Sequence, residues 1–147
     1  MAEKKYLVPM SSPEINGNDR QAVLEVLETN YLSMGPKINA FEQSVQSYVG
    51  VNEAIGVSSG TTGLHLCIRA AGIQANDLVL TTPFSFVSST NVILFEQAIP
   101  IFVDVDPLTG NLDPILAEEA IRDLASGDLK KLYRWLPRKG AGHPKTL

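Results

Sequence analysis

Apolar residues recur at helical spacing four times along the first 125 positions. Asn18 is placed to cap a first helix whose stripe is Val23, Val26 and Leu27. Gly35-Pro36 opens a second, with Ile38, Phe41, Val45, Tyr48 and Val49 leading to a stop at Gly50. A third begins near Thr61, carries Leu64, Cys67, Ile68 and Ala71 as its inner stripe, and ends at Gly72. Asp113 and Pro114 start a fourth, with Ala117, Ala120, Ile121 and Leu124 facing inward. Between these lie apolar runs of strand length: Ala54–Ser58, Leu78–Thr82 and Ile101–Val105. None alternates cleanly, which fits strands buried on both faces of a parallel sheet. A short helix over Val87–Glu96 links the second run to the third. The order predicts an α/β fold with crossover helices.

Charge divides the chain. Residues 127–147 hold Lys130, Lys131, Arg134, Arg138, Lys139 and Lys145 against one acid, Asp128, a balance of +5. Residues 1–126 hold six basic and fifteen acidic side chains, −9, within a net charge of −4. An acidic body repels nucleic acid. The basic stretch contains Gly127, Pro137, Gly140, Gly142 and Pro144 and reads as a solvated insertion or linker, so no nucleic-acid partner is expected. The longest apolar runs are broken by Arg69 and Glu96, short of the roughly 18–20 residues of a membrane span. Met1 to Tyr6 leads into no apolar leader, and Cys67 is the only cysteine. A cytoplasmic protein without membrane contact is the expectation.

Two segments carry candidate chemistry. Val57-Ser58-Ser59-Gly60-Thr61-Thr62-Gly63-Leu64-His65 runs through small hydroxyl residues and glycines into a helix. A helix N-terminus offers unpaired amides and a positive dipole end, which suits a phosphate. No Gly-Lys-Thr/Ser follows, and the Gly-x-Gly-x-x-Gly spacing is absent. From the residues alone, the segment is either a phosphate site or a capped turn. The second segment, Thr81-Thr82-Pro83-Phe84-Ser85-Phe86-Val87-Ser88-Ser89-Thr90-Asn91, leaves the carboxyl end of a strand, where open α/β sheets bind ligands. Its two phenylalanines either stack on a flat ring or simply cap the core. His65 reads as a packed helix histidine and Cys67 as core. Asp104 and Asp106 read as a turn and cap device, since a hard cation needs about six oxygens, so no metal is expected.

Together with Tyr31-Leu32-Ser33-Met34-Gly35-Pro36-Lys37 and Ile99-Pro100-Ile101-Phe102-Val103-Asp104-Val105-Asp106, these segments resemble successive motifs of the DegT/DnrJ/EryC1/StrS sugar aminotransferases. Their order and spacing resemble the family's over nearly all of residues 7–125. The resemblance implies the N-terminal part of a three-layer α/β/α large domain of the fold-type-I pyridoxal-phosphate (PLP) enzymes. That part would span residues 1–126, with residues 127–147 an insertion or tail. It implies that Gly60, Thr61 and Thr62 hold the PLP phosphate and that Phe86 stacks on the pyridine ring. Ser33 and Gly35 would neighbour a nucleotide-sugar substrate. The implied reaction transfers an amino group from glutamate or glutamine to a keto-sugar nucleotide, in a homodimer.

That chemistry needs a lysine that binds PLP covalently and an acid at the pyridine nitrogen. The family's motifs for both, of E-D-A-A/C and S/F-x-x-x-K type, do not occur in this chain, so no catalytic residue is assigned. The expectation is an inactive N-terminal portion of a larger enzyme, with apolar sheet edge and helix face exposed. Two alternatives are a PLP-dependent sugar dehydratase of the same family and a non-catalytic module that binds PLP or a phosphosugar or associates with a full-length subunit.

Overall fold

The computed structural model describes residues 11–136. The N-terminal hexapeptide and the basic residues from Arg138 onward, both weighed above, lie outside them. The described chain divides into two units, one ending at Gly56 and one beginning at Val57.

The first unit holds α1 (Gly17–Leu27) and α2 (Pro36–Val49). α1 starts two residues earlier than Asn18 predicts. Asn16 is the cap: its side chain accepts from the Asn18 amide at 2.8 Å, and its own amide donates to Asp19 at 2.7 Å. The reciprocal pair satisfies two of the end groups a helix leaves open, and only Asn16 has a carboxylate three positions on. α2 follows the sequence reading, with Gly35 as cap, Pro36 in the first turn and Gly50 left-handed at φ 78°. Of the expected inner stripes, Val26, Ile38 and Val45 are half-buried, while Val23, Leu27, Phe41, Tyr48 and Val49 are exposed.

Ala54–Ser58 does not form the predicted strand. A strand exists only through ladder bonds to a neighbour, and none of these residues pairs with another strand among the described residues. A side chain takes the ladder's place at one point, where the Gly56 amide donates to Glu42 Oε1 at 2.7 Å. Ile55 is 79% exposed, which a strand covered on both faces would not allow.

The second unit runs α3 (Gly60–Ala70), β1 (Leu78–Thr81), α4 (Ser88–Phe95), β2 (Ile99–Phe102), α5 (Pro114–Ala125) and α6 (Leu129–Trp135). β1 and β2 pair in parallel, Leu78 opposite Ile99 and Thr81 opposite Phe102, with α4 as the crossover. β2 starts two residues before the predicted Ile101. Its Pro100 is tolerated because Ile99 and Val103 donate to Asp77 and Thr81, leaving the intervening proline nitrogen on the other edge. The core lies on both sides of this pair. Val92, Ile93 and Ala98 are buried with Ile68, Ile73 and Val79 packed on them. Ile99 and Ile101 are buried with Leu132 and Leu136, against Leu80, Leu124 and Trp135. Each such large aliphatic contributes about 1.5–3 kcal/mol by leaving water.

The second cluster corrects one expectation. Residues 129–135, read as solvated linker, form α6 and place Leu132 on β2. Asp128 caps the helix through the Lys130 amide at 2.9 Å. Asp123 on α5 accepts from the Trp135 indole at 3.0 Å and faces Lys131 and Arg134. On α5, capped by Asp113 as predicted, Ala120 is buried and Ile121 is exposed rather than inward. Among the described residues no helix is long and apolar enough to cross a membrane.

Candidate functional site

The head of α3 concentrates hydrogen-bonding groups. Ser59 is the cap, its hydroxyl accepting from the Thr62 amide at 3.2 Å. Thr62 Oγ1 lies 3.0 Å from Ser59 Oγ and 3.1 Å from Ser58 Oγ. The Gly63 amide closes the turn on the Ser59 carbonyl at 3.0 Å. Among the described residues no acceptor engages the amides of Gly60 and Thr61. A Cβ on Gly60 would meet nothing within 4 Å, so the approach to those amides is open. Open amides, three adjacent hydroxyls and a helix dipole together favour an anion with several acceptor oxygens.

Phe86 lies between β1 and α4, in a loop that leaves the carboxyl end of β1. It is 76% exposed, and Phe84 is 71% exposed. Neither is buried among the described residues. The loop is braced below them: Thr82 Oγ1 accepts from the Phe84 amide at 3.2 Å, and Ser85 Oγ lies 2.8 Å from Ser89 Oγ. Ser88 is buried at the start of α4. The same unit thus carries an anion-ready turn and a free aromatic face.

A PLP molecule needs donors for a phosphate and a flat apolar face for its ring. The groups at Gly60, Thr61, Thr62 and Phe86 match both demands in kind.

Ser33 and Gly35 lie in the first unit. Gly35 lines a cavity of about 260 Å³ with Val26, Tyr31, Leu32 and Ile38. Ser33 is exposed and does not line it. Gly35 is held by a close approach, since a Cβ there would meet Tyr31 Cβ and its carbonyl oxygen at 3.0 Å. Lys37 in the same segment pairs with Glu25 at 3.1 Å.

The other singled-out residues sort by their contacts. His65 packs as a helix histidine, with its Nε2 donating to Glu96 Oε1 at 2.6 Å. Cys67 is exposed, not core, because α3 turns Ile68 rather than Cys67 toward α4 and its neighbours. Asp104 and Asp106 serve their turn: Asp104 accepts from the Val105 amide at 2.8 Å, Asp106 from Leu108 at 2.7 Å. Among the described residues no three His, Cys, Asp or Glu side chains converge as a metal set. Sequence reading missed Glu96, whose partners lie 31 and 27 positions away, and no local signal marks it.

Fold and site define a class: an α/β unit with a hydroxyl-rich helix N-terminus and an exposed aromatic in the loop after a strand. The comparisons narrow it. Residues 13–127 match the DegT/DnrJ/EryC1/StrS aminotransferase family, and the chain belongs to that family. The spore coat polysaccharide biosynthesis protein SpsC of Bacillus subtilis is 39% identical over 119 residues, covering 81% of this chain and 31% of SpsC. GDP-perosamine synthase of Caulobacter vibrioides is 37% identical over 115 residues, covering 78% of this chain and 31% of the synthase. The X-ray structure of the aminotransferase from Psychrobacter cryohalolentis superposes with a TM-score of 0.71 at 31% identity, over 75% of this chain and 29% of that one. The fold is therefore part of that of the PLP-dependent aminotransferases, and PLP is the family's cofactor. The chain spans about 31% of the length of the curated relatives it matches.

Proposed function

We propose that this chain contributes the PLP phosphate and ring sites of an aminotransferase acting on a keto-sugar nucleotide, with glutamate or glutamine as donor. The observation that carries the reading is the head of α3, where the open amides of Gly60 and Thr61 sit beside the hydroxyls of Ser58, Ser59 and Thr62. In this reading Gly60, Thr61 and Thr62 bind the phosphate and Phe86 covers one ring face, fixing the cofactor at two points. When bound, the cofactor supplies an electron sink for moving an amino group. The chain's own residues orient it and exclude water from one face.

Support for the sugar-nucleotide substrate comes from the relatives' names, a GDP-perosamine synthase and a polysaccharide biosynthesis protein. Ser33 and Gly35 are taken as substrate neighbours. Residues 1–126 are taken as the N-terminal part of the large domain, and 127–147 as an appended or inserted stretch. The proposed assembly is a cytoplasmic homodimer. Apolar residues exposed on α1 and α2, among them Val23, Leu27 and Phe41, favour association over life as a monomer.

The family's lysine motif of S/F-x-x-x-K type does not occur in this chain. The chain alone is therefore proposed to bind without turning over. The test is to isolate from the native source the assembly that contains this chain and supply it with PLP, glutamate and a keto-sugar nucleotide. Amino-sugar formation with matching 2-oxoglutarate supports the reading. Loss of water from the sugar without amino transfer would favour the dehydratase alternative.

A further inference from the structure

The proposed phosphate turn heads α3, Phe86 lies in the loop that enters α4, and one carboxylate joins the two helices. Glu96 caps the C-terminus of α4, and its side chain is only 17% exposed. Its Oε1 receives His65 Nε2 at 2.6 Å and Arg69 Nη1 at 3.3 Å, both from α3. The His65 ring also meets Phe95 edge-on, with centroids 5.3 Å apart at 72°. Below this polar tie, Ile68 of α3 packs on Val92, Ile93 and Ala98.

The placement matters more than the strength of the pair. His65 lies three residues, about one helical turn, beyond Thr62. Glu96 lies one short helix beyond Phe86. The packing of Ile68 on Val92, Ile93 and Ala98 sets the approach of the two helices without a directional polar contact. A carboxylate oxygen shared by donors one turn apart on α3 adds a directional contact to that packing.

We propose that Glu96 is a positioning residue, which through His65 and Arg69 holds the Gly60–Thr62 turn at a set distance from Phe86. This rests on the cofactor reading above. A ligand that touches both places feels the tie, and a ligand that touches only the turn does not.

The experiment compares PLP and inorganic phosphate binding to the 147-residue chain, in wild type, E96A and E96Q, with far-UV circular dichroism confirming helix content. E96A is expected to weaken PLP about tenfold, as small misplacements do at two-point sites, while phosphate binding stays unchanged. E96Q keeps an acceptor for His65 and Arg69 and is expected to restore most of the PLP affinity. Equal loss of PLP and phosphate would overturn the proposal, as would unchanged PLP affinity in E96A or failure of E96Q to restore it. Wild-type chain that binds PLP with no dependence on Thr61 and Thr62, or not at all, would overturn the cofactor reading and this proposal together.

Discussion

Ser59 Oγ and Thr62 Oγ1 lie 3.0 Å apart at the head of α3, and the Ser59 hydroxyl also accepts from the Thr62 amide at 3.2 Å. One side chain thus both caps the helix and aligns a hydroxyl of the proposed phosphate turn. Ser59→Ala should cost about 1 kcal/mol of local helix stability, the usual cost of losing such a cap. Amide hydrogen exchange reads it directly: Thr62 and Gly63 should exchange faster, with the amides of α5 unchanged. Uniform acceleration throughout the second unit would contradict a local cap.

Gly35 allows a close approach that no other residue permits without a shift. Its absent Cβ would stand 3.0 Å from both the Tyr31 carbonyl oxygen and the Tyr31 Cβ, and these are not the far end of a flexible side chain. Gly35→Ala should therefore destabilise the Tyr31–Pro36 turn by about 1–3 kcal/mol, the range for overpacking. Limited proteolysis between α1 and α2 should speed up accordingly. A variant as resistant as wild type would show that the turn relaxes freely.

These two sites mark what the sequence made legible. Caps and stops are local chemistry, so Gly35-Pro36, Gly50, Gly72 and Asp113 announced their helix ends, and the glycine–hydroxyl turn announced α3. Ala54–Ser58 shows the limit on strands: its composition is that of a buried strand, but pairing depends on a partner remote in sequence. Cys67 fits an apolar stripe by spacing, yet which side of α3 is covered depends on where α4 and β1 lie. The basic stretch misled for a similar reason. Leu132 and Leu136 are buried at four-residue spacing, but the surrounding lysines, arginines and glycines concealed them. Phe86 is marked by its motif in the sequence, whereas the contacts of Glu96 with His65 and Arg69 join residues 31 and 27 positions apart and have no local signal.

Asp123 is the hinge on which α6 is held. It is 13% exposed and meets Trp135, Lys131 and Arg134, while Glu119 pairs separately with Arg134. The Glu119 hydrogen bond raises the Arg134 guanidinium above its ordinary value, so pH is not the lever on this contact. The ion pairs are half in solvent and contribute little. The indole bond is the larger part, since a net hydrogen bond of this kind contributes about 0.5–1.5 kcal/mol. Asp123→Ala should red-shift the emission of Trp135, the only tryptophan, and expose Leu132 to proteolysis nearby. Unchanged emission would mean that Leu132 and Leu136 hold α6 without it.

The family's lysine motif does not occur in this chain, so borohydride reduction of the PLP-treated chain should give no stoichiometric adduct at one lysine. Peptide mass mapping checks this. Scattered, substoichiometric labelling agrees with binding without covalent capture. A single fully labelled lysine would contradict the account of how this chain holds its cofactor.

The most direct test is a PLP titration of wild-type chain against the double variant Thr61→Val, Thr62→Val, followed by ring fluorescence. Each hydroxyl bond to a charged phosphate is worth about 1.5–3 kcal/mol, so losing two should cost about a hundredfold or more in affinity. Phe86→Ala should lose less, about three- to tenfold, because stacking contributes about 0.5–1.5 kcal/mol. Equal affinity in wild type and the threonine double variant would contradict the placement of the phosphate at the head of α3.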